Sequence, residues 1–257
     1  RSRSALEFLG SRIARLYPAY WGAIAVTTVG LALLPLPLPT PDAPQLLANL
    51  SMLQRFFEIP DVDGVYWSLQ IELIFYAWML ALWRLGALRR PLLVCGVWIA
   101  AALLAKLAML GTAAAPFGNV ATDAPTLLPA AQMNATLLYW FPWFAIGILS
   151  WTGLRHHRVD PAHTTVLGLA IYTAAYGERL SVLACALAAA LLLHGAARHR
   201  LGALQWRPLV FFGAISYPLY LLHQRLGWAV IHHVGDDSTA TRTLGIAIAF
   251  TMSVLLA

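Results

Sequence analysis

The chain has 257 residues, 60% of them hydrophobic and only 11% charged, with a formal net charge of +6. A mean hydropathy of +0.69 and so few charges, against about a quarter in ordinary soluble domains, exclude a water-soluble globular fold and imply a polytopic membrane bundle. The positive balance comes almost wholly from arginine, which in such a chain is a topology signal; no nucleic-acid partner is read from it.

The chain opens RSRSALEFLGSRIARLYP, with neither an initiator Met nor a secretory leader, and reads as the middle of a longer protein. A spanning helix needs about 20 mostly apolar residues. Eight segments answer to that, at about 16–34, 65–83, 92–110, 136–154, 163–177, 180–195, 212–232 and 243–257. The fifth and sixth are short, and the eighth stops with the chain. The fold class is therefore all-α, a single membrane-embedded domain over 1–257.

Orientation follows from the arginines. With a cytoplasmic N-terminus, the inner side collects Arg1, Arg3, Arg12, Arg15, Arg84, Arg89, Arg90, Arg155, Arg158, Arg198, Arg200 and Arg207. The outer side keeps only Arg55, Arg179 and Arg242, while Lys106 and Arg225 fall within spans. The outer connections are a stretch over 35–63 that begins PLPLPTPDAP and cannot continue a helix, and a loop over 111–135 without Lys or Arg. Cys95 and Cys185 lie inside apolar runs without C-x-x-C spacing and read as packing residues.

Two clusters could carry chemistry. In VYWSLQIELIFY (65–76), Glu72 lies eight residues into its helix, about 12 Å below the outer boundary at 1.5 Å per residue. A carboxylate near the midplane costs about 3 kcal/mol and must face a polar interior or a water-filled cavity. Ser68 and Tyr76 share its face, so Glu72 is either a structural pin between helices or part of a site. In ISYPLYLLHQRLG, Ser216, Tyr220 and His223 again share a face, and His223 reaches similar depth. Histidine exchanges protons near neutrality; the plainer reading is a ring satisfied by a neighbouring carbonyl. Equal depth favours one pocket for Glu72 and His223. Arg12 and Arg15, an R-x-x-R before the first span, serve as topology anchors or as a clamp for phosphate oxygens.

Other signals are weak. The His156–His157 and His232–His233 pairs lack a complete ligand set, so no metal site is expected. His232 and Asp237 spell H-x-x-x-x-D, a spacing that chance readily supplies. Asn134-Ala-Thr136 fits a glycosylation sequon. No G-x-S-x-G, P-loop or H-E-x-x-H is present.

Four stretches in order, FLGSRIARLYPAYW (8–21), VYWSLQIELIFY (65–76), FPWFAIGILS (141–150) and FFGAISYPLYLLHQ (211–224), resemble the integral-membrane acyltransferase family 3. Members of that family move acetyl or other short acyl groups from acyl-CoA to sugars of surface polysaccharides, lipopolysaccharide, peptidoglycan and antibiotics. The resemblance implies acyl-CoA, foremost acetyl-CoA, as co-substrate without a permanently bound cofactor, a carbohydrate acceptor, and a multi-pass place in the lipid bilayer of a bacterial inner membrane. Arg12 and Arg15 match its R-x-x-R, thought to engage the donor. Glu72 matches the acid of its W-S-L-x-x-E-x-x-F-Y motif, with Trp67, Ser68, Phe75 and Tyr76 around it. Ser216, Tyr217, Tyr220 and His223 match its late S-Y-x-x-Y-L-x-H motif. The implied catalytic set is Glu72, His223 and Tyr220. The family's first helix, with a basic residue followed ten positions on by a histidine regarded as catalytic, has no counterpart here, so the eight spans are expected to be part of a ten-helix core, and the resemblance implies that this histidine acts as the base, with Glu72 and His223 orienting it and sharing its proton. The rival readings are a proton-coupled secondary transporter that uses Glu72 and His223, and an inactive acyltransferase fragment.

Overall fold

The computed structural model describes residues 4–110, 136–155, 160–198, 201–234 and 238–257. Its helices are α1 (Ala5–Leu33), α2 (Ala43–Asn49), α3 (Trp67–Arg84), α4 (Pro91–Leu110), α5 (Phe141–Arg155), α6 (Pro161–Ala175), α7 (Leu180–Ala197), α8 (Arg207–Leu222), α9 (Arg225–Val234) and α10 (Thr239–Leu256). Short 3-10 turns join some of them, and no strand occurs among the described residues. The loop at 111–135, Asn134, the His156–His157 pair and Asp237 lie outside the described residues.

Local chemistry sets the helix starts. Ser4 and Glu7 form a reciprocal capping box on α1, with side chain to backbone distances of 3.1 and 3.0 Å. Asp42, Asp160 and Ser238 cap α2, α6 and α10 by accepting from the first-turn N–H groups. Proline falls in the opening turn of α2, α4, α5, α6 and α8, where its missing N–H costs no helical bond.

Among the described residues, four helical stretches are long and apolar enough to cross a membrane: Ala5–Leu33, Gly64–Arg84, Pro91–Ala108 and Thr239–Leu256. Leu180–Ala196 and Arg207–Leu222 are apolar but shorter. The eight segments read from the sequence thus divide, among the described residues, into full-length helices and shorter ones. Large apolar side chains point outward along them, among them Leu104, Leu191 and Phe250 at 66%, 71% and 53% exposure. Such surfaces suit hydrocarbon and not water. Cys95 is buried, whereas Cys185 is exposed on α7 and does not pack inside as anticipated.

One span differs from its sequence reading. Residues 212–232 are not a continuous helix: α8 ends at Leu222, and α9 begins at Arg225. At ten residues α9 is about 15 Å long, half the hydrocarbon thickness. Pro218 lies inside α8 and Gly227 inside α9, but between Leu222 and Arg225 there is neither proline nor glycine.

The molecule comprises two compact units, Arg1–Gln70 with Trp206–Ala257, and Ile71–Gln205. In the first, α9 packs on α10 and α1, and α8 packs on α1 and α10. Three neighbouring side chains of α1 satisfy three successive carbonyls at the end of α2: Tyr20 donates to Asn49 O, Trp21 to Leu50 O and Tyr17 to Ser51 O, at 2.8, 3.0 and 2.8 Å. The YPAYW stretch therefore caps a helix C-terminus that would otherwise leave bare carbonyls. In the second unit, α5 packs against α4, α6 and α7. Trp98 stacks on Phe141 and Phe75 on Phe144, with ring centroids 4.0 and 4.1 Å apart. Lys106, 5% exposed, donates to the carbonyls of Ala174 and Tyr176 at the end of α6 and lies 4.0 Å from Glu178.

The α1–α9 crossing depends on Gly30, because a Cβ there would lie 2.2 Å from Leu226 Cδ2, and Leu226 is itself buried. Gly30→Ala should destabilise the protein by about 1–3 kcal/mol through overpacking. Unfolding by SDS titration of reconstituted protein checks this, and adding Leu226→Ala should restore part of the loss. A Gly30→Ala protein as stable as its parent contradicts the crossing.

Candidate active site

A cavity of about 800 Å³ opens in the first unit, within the size range of small-molecule sites. Aromatic and aliphatic side chains form most of its wall, including Trp67, Phe212, Trp228, Ile246 and Phe250. Its polar contributions come from Ser216, Tyr220, His223, Gln224 and Ser253. The face predicted for Ser216, Tyr220 and His223 is therefore a cavity face, and Trp67 joins it from the start of α3.

His223 stands at the break between α8 and α9, exposed to the cavity. Its Nδ1 is 2.7 Å from the Tyr220 carbonyl oxygen. A carbonyl only accepts, so in the neutral ring Nδ1 carries the proton and Nε2 keeps its lone pair. The plain expectation of a ring satisfied by a carbonyl thus holds for one nitrogen, and that contact fixes the basic character of the other.

Tyr220 does more than line the wall. Its hydroxyl lies 2.7 Å from Ser68 Oγ and donates towards the Val65 carbonyl at 3.0 Å, while Ser68 Oγ reaches the same carbonyl at 3.1 Å. Two hydroxyl protons are shared around one carbonyl, which joins α8 to the start of α3. Ser216 Oγ donates back to Gly213 O at 2.8 Å. Tyr217 donates to the Leu16 carbonyl at 3.0 Å and so fastens α8 to α1 one residue beyond Arg15. On that stretch of α1, Arg12 is half-buried with its guanidinium over the Phe8 ring, and Arg15 is exposed.

Glu72, Phe75 and Tyr76 belong to the second unit. Tyr76 donates to Glu72 Oε1, the i to i+4 contact that their spacing predicts, and Phe75 stacks on Phe144. Ser68, expected to stand with Glu72 and Tyr76, makes hydrogen bonds to Val65 and Tyr220 in the first unit.

The residues that organise the cavity's polar edge escaped the sequence reading. Asp63 is fully buried; one oxygen accepts from Val65 N at 3.3 Å and the other from Arg225 N at 3.0 Å. Asn49, also buried, donates to Gln45 O and Pro60 O and accepts from Val62 N, at 2.9, 3.0 and 3.0 Å. Gln54 and Arg55 both bind Asp61. The segment before α3 is consequently a built structure and not a slack loop. The Asp63-Gly64 pair ahead of WSL was the available signal, since Asp-Gly marks a turn. At Gly64 a Cβ would come within 2.7 Å of Gln224 Oε1, an atom that is buried without a hydrogen-bond partner, so a larger residue there would displace the end of the Gln224 side chain. Among the described residues no group of three or more His, Cys, Asp or Glu could hold a metal ion.

A helical chain with membrane-length apolar helices and a cavity lined in part by a histidine ring defines the class as a helical membrane protein with a candidate site. Comparison with protein families then identifies it further: the family 3 acyltransferase model, described as an acyltransferase domain, matches residues 1–257. The chain belongs to that family and is a membrane acyltransferase. Comparison with curated proteins finds no match, and neither does comparison with solved structures.

Burial pushes the Asp63 carboxyl above the usual carboxylate range, against the opposing pull of the Arg225 and Val65 N–H groups. The proton is bound more tightly in the folded state than in the unfolded one. This group's contribution to stability is therefore complete below about pH 4 and is lost as pH rises through the raised folded value. SDS unfolding at several pH values should show the parent losing stability across that window relative to Asp63→Asn. A parent-minus-variant difference that is flat or that grows with pH contradicts this assignment.

Proposed function

We propose that this acyltransferase moves an acetyl or other short acyl group from acyl-CoA to a hydroxyl of a cell-surface carbohydrate, in the cavity beside His223. The observation that carries the reading is the His223 ring itself, locked through Nδ1 onto a backbone carbonyl with the Nε2 lone pair left to a cavity of ligand size. In the proposed step, Nε2 takes the proton of the acceptor hydroxyl as that oxygen attacks the thioester carbonyl. The tetrahedral intermediate collapses, the C–S bond breaks, and the imidazolium returns its proton to the departing CoA thiolate. Aromatic walls such as Trp67 and Trp228 suit the apolar faces of a sugar ring, and Ser216 and Gln224 suit its hydroxyls.

The donor's place in this proposal is at Arg12 and Arg15, whose guanidinium forks match phosphate oxygens, on a cytoplasmic face defined by the arginine distribution. Glu72 enters the proposal through the family motif alone, and its bond to Tyr76 lies within α3. Tyr220, with its hydroxyl engaged by Ser68 and Val65, supports the reading by holding the His223 helix end in place. The bilayer in this reading is that of a bacterial inner membrane.

Transfer of labelled acetyl from acetyl-CoA to a polysaccharide acceptor, with the full-length protein in membrane vesicles, tests the proposal. His223→Ala should lower kcat by about 10²–10⁴-fold, and Arg15→Ala should raise the KM for acetyl-CoA while leaving kcat nearly unchanged. Full transfer activity in His223→Ala would overturn the assignment.

A further inference from the structure

The Asp63 carboxylate stands apart from every residue so far assigned to chemistry, yet it binds the first residue of α9, two positions after His223. It is 0% exposed, and it spends its two oxygens on backbone N–H groups 2 and 162 residues further along the chain. Arg225 is the first residue of α9, and its N–H is one of the orphans of a helix start. Val65 lies in the 3-10 turn that leads into α3. The carboxylate thus joins two chain segments whose ends both line the cavity: Gly64, Val65 and Trp67 on one side, His223 and Gln224 on the other.

Two further contacts set the same spacing. The Tyr220 hydroxyl reaches the Val65 carbonyl, and the end of the Gln224 side chain packs against Gly64, 2.7 Å from where a Cβ would stand. The break at His223 and Gln224 is consequently held from both sides, and its N–H donor is answered by a side chain distant in sequence. Without that acceptor a part-buried N–H would lose its partner, and continuing α8 into α9 would become the competing way to satisfy it. A continuous helix would carry His223 away from its present orientation. Only a carboxylate of this length can accept on both atoms; asparagine offers one acceptor and would turn an amide N–H towards the second donor.

We propose that Asp63 is a positioning residue for acyl transfer: through the N–H groups of Val65 and Arg225 it holds the helix break that presents His223 to the cavity. The proposal rests on the reading of His223 as the proton acceptor. A base misplaced by about 1 Å loses on the order of 10²-fold in rate while substrate binding is little changed.

The test uses the full-length protein in nanodiscs, with Asp63→Asn and Asp63→Ala compared with the parent and with Arg225→Met. The last removes the arginine side chain and keeps the N–H that Asp63 binds. Three quantities are read: kcat and the acetyl-CoA KM, the rate of diethyl pyrocarbonate modification at His223 by peptide mass spectrometry, and the thermal transition. The Asp63 variants should lose kcat by roughly tenfold or more, hold the acetyl-CoA KM within about twofold, and change the His223 modification rate, while the folded fraction at the assay temperature is unchanged. Arg225→Met should match the parent in both kcat and His223 modification. Asp63→Asn, nearly isosteric, carries the test if Asp63→Ala does not fold. An Asp63→Asn protein with parental kcat and parental His223 modification, or one whose kcat falls only in step with its folded fraction, overturns the proposal. If instead His223→Ala keeps full activity while Asp63→Asn still alters His223 modification, the reading of His223 has failed and the positional link stands.

Discussion

A buried carboxylate is costly in any protein, and more so beside a membrane span, unless its oxygens are answered. In this chain Asp63 is answered twice, by Val65 N and Arg225 N, and the architecture around the cavity depends on that arrangement. It fixes the end of the segment preceding α3, permits α8 and α9 to be separate helices, and leaves His223 at the break between them. The preceding links follow the same logic. Tyr17, Tyr20 and Trp21 cap the end of α2, Asn49 ties that end to Pro60 and Val62, and the chain then arrives at Asp63 already constrained.

Buried polar bonds of this kind contribute about 1 kcal/mol each when made, and leaving one partner alone costs about 1–3 kcal/mol. Their weight here is therefore in specificity of geometry more than in gross stability. The apolar surfaces of α4, α7 and α10 are satisfied by lipid whichever way neighbouring helices turn. The hydrogen bonds of Asn49, Asp63 and Tyr220 admit one arrangement. Lys106 plays a comparable part in the second unit, where it closes the carbonyl end of α6 and pairs with Glu178.

Composition and apolar run lengths carried the helical membrane class, because a bilayer admits only helices or closed barrels and apolar runs of about 20 residues suit helices. Periodicity carried the shared face of Ser216, Tyr220 and His223, which lies on the cavity wall, and the pairing of Glu72 with Tyr76. The break at 223–225 was not legible, since LLHQRLGW contains no local breaker at that point and the group that answers its N–H lies 162 residues earlier. Asp63 and Asn49 were missed for a related reason: both sit outside the apolar runs, in a segment whose proline content suggested only a connection. Short helices such as α9 fall below the length at which hydropathy distinguishes a span from a buried fragment. The motif residues divide in the same way, with Tyr217 and Tyr220 fastening helices through their hydroxyls while His223 faces the cavity.

Amide hydrogen exchange in the reconstituted protein, resolved for the peptides that contain Val65 and Arg225, tests the central structural claim most directly. The account predicts that both amides are strongly protected and that Asn49→Ala reduces their protection together, because one network holds both. Exchange of the Arg225 amide at the rate of an unstructured peptide, with Val65 protected, would contradict it.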